Sequence, residues 1–186
     1  MTNPRQVPGF ATPAAGFDAP FEMLQACHER VERMLGLLQK LVDYLVEHPR
    51  DAQAKQAAQD VMRYFDLAAP LHHQDEERHV FPAILRQGDA DLLAIVARLQ
   101  QDHLAMEVAW QALRRVLEEV VASPSTQQQA LSPAGIECVS RFLGLYKHHI
   151  ADENLVIFPA AQQQLTASEL TNMSEDMMQR RGVRQK

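Results

Sequence analysis

Cysteine is scarce in this chain: Cys27 and Cys138 are the only two among 186 residues. Two thiols so far apart make neither a disulfide framework nor a thiolate zinc finger. Aromatic residues are 6% of the chain while hydrophobic residues of all kinds are 46%, which leaves the core to Leu, Val, Ala and Met and favours packed helices. Basic charge is not in excess. The formal net charge is −6, so neither nucleic acid nor an anionic membrane surface would be attracted electrostatically. No apolar run approaches the length that spans a bilayer. The N-terminal residues lack a charged segment followed by an apolar one, so no signal peptide is expected and a soluble, cytoplasmic protein is the expectation. There is also no strand signal, no catalytic triad, no phosphate loop and no nucleotide motif to point to another reaction class.

What the chain does have is a repeated motif. His72-His73-Gln74-Asp75-Glu76-Glu77 leads to Phe81-Pro82-Ala83, and His148-His149-Ile150-Ala151-Asp152-Glu153 leads to Phe158-Pro159-Ala160. Aligned on Phe-Pro-Ala, His72 falls on His149, Asp75 on Asp152 and Glu76 on Glu153. Residues four apart share one face of a helix, so each copy aims an imidazole and a carboxylate in the same direction.

The length suits one domain with a substantial core. Residues 1–19 hold three prolines and two glycines without periodicity and read as a loose arm. From Pro20 the apolar residues recur every three or four positions, and four helices are expected. The first carries Phe21, Leu24, His28, Val31, Leu35 and Leu38 and stops at His48-Pro49. The second carries Val61, Phe65, His72, Glu76 and Val80, with a kink or irregular turn at Pro70, and ends near Gly88. The third runs from about Asp89 to Ser123 through Leu99, His103, Met106 and Leu113, and the fourth starts at Ser132-Pro133 and carries Phe142, Tyr146, His149 and Glu153. Residues 20–165 are thus expected to form an all-α, antiparallel up-down-up-down four-helix bundle. Residues 166–186 are expected to form a tail with one or two short helical turns, opened by a Thr166–Glu169 capping box.

In such a bundle His28, His72, Glu76, His103, His149 and Glu153 all fall within roughly 12–21 Å of the same end, at about 1.5 Å of rise per residue. Each interrupts an apolar stripe where a leucine would otherwise belong. One such histidine is ordinarily a satisfied core residue, but four with two glutamates at similar depth point to metal. Mixed imidazole and carboxylate donors suit iron, manganese or zinc. Six or seven donors exceed what one tetrahedral zinc uses, so a dinuclear site is expected, bridged by Glu76 and Glu153. A ferritin-like Glu-x-x-His set is incomplete, because Glu76 has His79 but Glu153 has Val156. His73, Glu77 and His148 lie one position off the stripe and read as surface residues or partners of the ligands. Glu32, Asp75 and Asp152 read as exposed or salt-bridged charges, Cys27 as a buried thiol, and Tyr146 and Trp110 as packing.

With these residues the chain resembles the hemerythrin-like, His-His-Glu cation-binding domains over roughly residues 20–162. The resemblance rests on His28, His72-x-x-x-Glu76 before Phe81-Pro82, Asp102-His103, and His149-x-x-x-Glu153 before Phe158-Pro159. It implies an oxo- or hydroxo-bridged pair of non-haem iron ions able to meet dioxygen, nitric oxide or peroxide. Two departures stand out. Oxygen-carrying relatives have a second histidine four residues along the third helix, where this chain has Glu107, expected here as a ligand or as a hydrogen-bond partner of one. They also end on an aspartate five residues after the last histidine, where this chain has Glu153 at four. A site richer in carboxylate favours the ferric state over reversible oxygen carriage. The resulting expectation is a di-iron protein that binds or senses a small oxidant or handles iron, passing any signal to a protein partner. The alternatives are an oxidoreductase that decomposes peroxide or reduces nitric oxide, and a structural zinc or manganese bundle.

Overall fold

Local chemistry sets the limits of each long helix in the computed structural model, which describes residues 16–126 and 129–183. Helix α1 (Pro20–Glu47) opens on a proline, whose fixed φ suits a first turn and whose missing N–H is not needed there. It stops at His48, held extended (φ −123°, ψ 154°) by the proline that follows. Helix α2 (Ala52–Asp75) is capped by Asp51, which accepts from the Ala54 N–H at 3.0 Å. After α3 (Phe81–Gln87), Gly88 turns the chain with φ +76°, a conformation costly for any residue with a Cβ. Asp89 then caps α4 (Ala90–Ala122), and Ser132 caps α5 (Pro133–Asp152). The expected bounds of the four helices agree with these.

The helix continues uninterrupted through Pro70, and the irregular turn lies one turn and a half further on. Between α2 and α3 comes a π-turn, Glu76–Val80, and between α5 and α6 (Phe158–Gln164) a second, Glu153–Ile157. The cause is the proline of each Phe-Pro pair. Pro82 and Pro159 offer no N–H, and in a regular helix their rings would collide with the carbonyl four residues back. Taking in one extra residue relieves that collision: the Phe81 N–H donates to the Glu76 carbonyl and the Phe158 N–H to the Glu153 carbonyl, each five residues back.

Four rods result, α1, α2–α3, α4 and α5–α6, in which α1 packs on α2 and α5, and α4 on α2 and α5. This is the expected up-down-up-down, all-α bundle. Its interior is not one core but two. Val31, Leu38, Phe65, Leu113, Leu117 and Phe142 lead one cluster, and Phe21, Leu24, Phe81, Leu99, Ile157 and Phe158 lead the other.

Residues 1–15 of the expected arm lie outside the described residues. The tail differs from short turns: it forms one fourteen-residue helix, α7 (Ala167–Arg180), with the expected Thr166–Glu169 capping box. Two forces dock it. Met173 and Met177 are wholly buried in the second core, worth about 1.5–3 kcal/mol each. Arg180 and Arg181 both pair with the carboxylate of Asp75, which is 0% exposed. Replacing both arginines by alanine strands that carboxylate in the interior, and a loss on the order of 3 kcal/mol in denaturant unfolding is expected. An unchanged midpoint would show that Asp75 finds another partner.

Candidate metal centre

Where the four rods meet between the two cores, six polar side chains form a layer. His28 comes from α1, His72 from the last turn of α2, Glu76 from the first π-turn, His103 from α4, His149 from α5 and Glu153 from the second π-turn. All six are buried, the two glutamates completely.

Three of the rings are oriented from behind. His28 Nδ1 lies 2.9 Å from Asn154 Oδ1, His103 Nδ1 2.9 Å from Glu77 Oε1, and His149 Nδ1 3.4 Å from Asp102 Oδ2. These oxygens only accept, so each Nδ1–H donates, and in the neutral ring the Nε2 lone pair faces the interior. Metal-ligating imidazoles are commonly fixed in this way. Positions 77 and 154 align between the two copies of the motif, and a Glu and an Asn do the same work there.

At the centre, like faces like. His72 Nε2 lies 2.8 Å from His28 Nε2. Glu153 Oε2 is 3.1 Å from His28 Nε2, and Glu76 Oε1 is 3.2 Å from His72 Nε2. The other two oxygens face the opposite way: Glu153 Oε1 is 3.1 Å from His149 Nε2, and Glu76 Oε2 is 3.5 Å from His103 Nε2. These contacts are close but poorly aligned. All four carboxylate oxygens, Nε2 of His103 and His149, and Nδ1 of His72 lack a hydrogen bond. Buried groups left so cost several kcal/mol. A cation that takes imidazole and carboxylate donors satisfies the carboxylates and the inward nitrogens together, so the residues present fit a metal site. Nitrogen and oxygen donors of His28, His72, Glu76 and Glu153 lie within 4.8 Å of one another, as do nitrogens of His73, His103 and His149.

The electrostatics reflect this crowding. Burial, and then the neighbouring Glu153 charge, push the Glu76 carboxyl up to about 7. Burial would raise Glu153 too, but the close imidazoles of His103, His149 and His28 outweigh it and hold that carboxyl well below the usual range. Burial would lower His103, yet Glu153, Glu76 and Glu77 together carry it up to about 10. Burial and the neighbouring histidines keep His72 and His73 well below the usual imidazole range, in the neutral form that binds metal.

Six of the seven residues expected as ligands are thus brought together. Glu107 is placed differently: exposed, one turn beyond His103, on the wall of a cavity. That cavity, about 520 Å³, lies between α2 and α4 against the layer's flank, lined also by Phe65, His73, Glu77, Trp110 and Tyr146. His73 is the residue that periodicity set aside and the fold brings in, its ring flat on His103 with centroids 3.9 Å apart. Tyr146 both packs on Phe65 and lines the cavity.

Other residues keep away. His79 pairs with Asp176 at 2.8 Å, so no ferritin-like Glu-x-x-His set assembles among the described residues. Asp152 pairs with Arg98, while Glu32 and His148 are exposed. Cys27 is a buried thiol pushed up to about 11 by burial. No helix among the described residues is long and apolar enough to cross a membrane.

Comparison with known proteins gives the same picture. A Haemophilus influenzae protein described only as an uncharacterized protein is 35% identical over 171 residues, covering 92% of this chain and 95% of that protein. Residues 19–161 match the family model for the Hemerythrin HHE cation binding domain. That span holds all six residues of the buried layer, a cluster that could hold metal, and the chain belongs to the hemerythrin HHE cation-binding family.

Proposed function

We propose that this protein holds two iron ions in the buried layer and uses them to bind or sense a small oxidant (dioxygen, nitric oxide or peroxide) or to handle iron itself. One observation carries the reading. Glu76 and Glu153 each turn one oxygen toward the His28–His72 side and the other toward the His103–His149 side, the disposition of two bridging carboxylates. A pair of iron ions supplies Lewis acidity and one-electron chemistry that side chains lack.

The chain's own residues do the rest. Asn154, Glu77 and Asp102 hold the Nδ1 protons and so present Nε2 of His28, His103 and His149 inward. The apolar clusters on either side keep bulk water from the layer. The cavity along His73 and His103 gives a small molecule a way to one flank. An open flank also favours the oxidoreductase reading over a sealed structural zinc or manganese site.

Elemental analysis after aerobic purification from iron-supplemented cells tests this. About two irons per chain with charge-transfer absorption in the near ultraviolet is the expected result. One zinc, or no metal, in a folded protein would overturn it in favour of a structural bundle.

A further inference from the structure

Each side of the layer has two imidazoles and one oxygen from each glutamate, but only one side has a further histidine beside it. The His28 side has His28, His72 and one oxygen of each glutamate. The opposite side has His103 and His149, whose Nε2 atoms lack a hydrogen bond, and the other oxygen of each glutamate; α4 adds only the exposed Glu107. We propose that His73 is the third nitrogen donor of this second cation position, reaching in from α2 to supply what α4 lacks. The inference rests on the two-cation reading above and assigns one ligand within it.

Three observations support it. A nitrogen of His73 lies within 4.8 Å of nitrogens of both His103 and His149. Its ring centroid is 6.1 Å from that of His149 and 3.9 Å from that of His103, so it borders both. In the second copy of the motif the aligned residue is Ile150, buried and apolar, so the first cation position has no equivalent donor. The asymmetry is built into the sequence. The His73 ring lies within 9° of parallel to His103. Two parallel rings cannot both direct in-plane lone pairs at one ion, so ligation by His73 requires its ring to turn off the stack. The cavity beside it leaves room for that turn.

The test is anaerobic titration of cation-free protein with Co²⁺, followed by calorimetry and the visible d–d bands. Wild-type protein takes up two cations. His73→Phe keeps an aromatic ring on His103 but offers no nitrogen. It is expected to bind the first cation unchanged and the second about tenfold or more weakly, with the second set of d–d bands altered. Glu107→Ala is expected to bind both as wild type does. His73→Gln serves as a second variant, and the melting temperature of each cation-free variant reports on the fold itself. Wild-type affinity and spectrum in a folded His73→Phe or His73→Gln would overturn the assignment, as would loss of the second cation in Glu107→Ala. A wild-type protein that takes up fewer than two cations would overturn the two-cation reading itself.

Discussion

Replacing Glu153 by glutamine is expected to empty both cation positions at once. The substitution hardly changes shape, but it removes the charge and puts an NH₂ donor where an oxygen stood. Oε2 of Glu153 lies 3.1 Å from His28 Nε2 and Oε1 lies 3.1 Å from His149 Nε2, so neither side of the layer is spared. Metal content should fall from about two per chain to near zero. Removing His28 or His149 alone should affect one position more than the other. A purely structural role predicts something else: loss of a buried charge set among three histidines would lower the melting temperature, and added cations would move it no differently from wild type. The cation-free variant should still fold, melting below cation-free wild type because the imidazoles lose the ionised carboxylate they hold, and the rise in melting temperature that cations give the wild type should be absent. A folded Glu153→Gln protein that retained two cations would refute the bridge.

The second large effect concerns cation-free protein and pH. Glu76 titrates near 7 in the fold, above its unfolded value. Between about 4.5 and 7 the folded chain therefore holds a proton that the unfolded chain has lost, and stability falls as pH rises, by on the order of 3 kcal/mol. His103 acts with the same sign: its folded value near 10 gives stability that is complete below about 6.5 and is lost toward pH 10. Glu153 acts oppositely, but its contribution is lost only as pH falls below the ordinary glutamate range. Cation-free protein should therefore melt well below its pH 5.5 value at pH 9. Cations take the place of those protons, so binding releases protons and tightens as pH rises, and the gap between loaded and chelator-treated melting temperatures should widen. Cation-free protein that is as stable at pH 9 as at pH 5.5 would contradict the shared proton economy of the layer.

Much of this was legible in the sequence because the relevant patterns are helical and repeated. His72, Glu76, His149 and Glu153 declare themselves through two copies of one spacing, and Pro20, Asp89 and Ser132 mark helix starts by local chemistry alone. His73 was not legible, for a physical reason. A helix in a bundle faces two neighbours, so its inner arc is wider than one stripe, and α2 meets α4 on the flank where His73 and Glu77 stand. Glu77, read as a surface residue or a partner of the ligands, does supply an oxygen to His103 Nδ1, while Asn154, which does the same for His28, carries no signal of its own in the sequence. Glu107 has the spacing of a ligand in sequence, but α4 turns it to the exposed wall of the cavity. The docking of α7 depends on Arg180 and Arg181 reaching a carboxylate more than a hundred positions earlier, which no local pattern encodes.

Each π-turn takes in one residue beyond what a regular helix would need, and it begins at a layer glutamate. The phase of the rod before the turn is thereby uncoupled from the phase after it. Glu76 and Glu153 can stay aimed at the centre while Phe81, Ile84, Ile157 and Phe158 find their own best packing against the opposite core. The bundle is modular in this sense: the chemistry of the layer and the architecture of the closed end can vary independently, joined at two seams that absorb the mismatch.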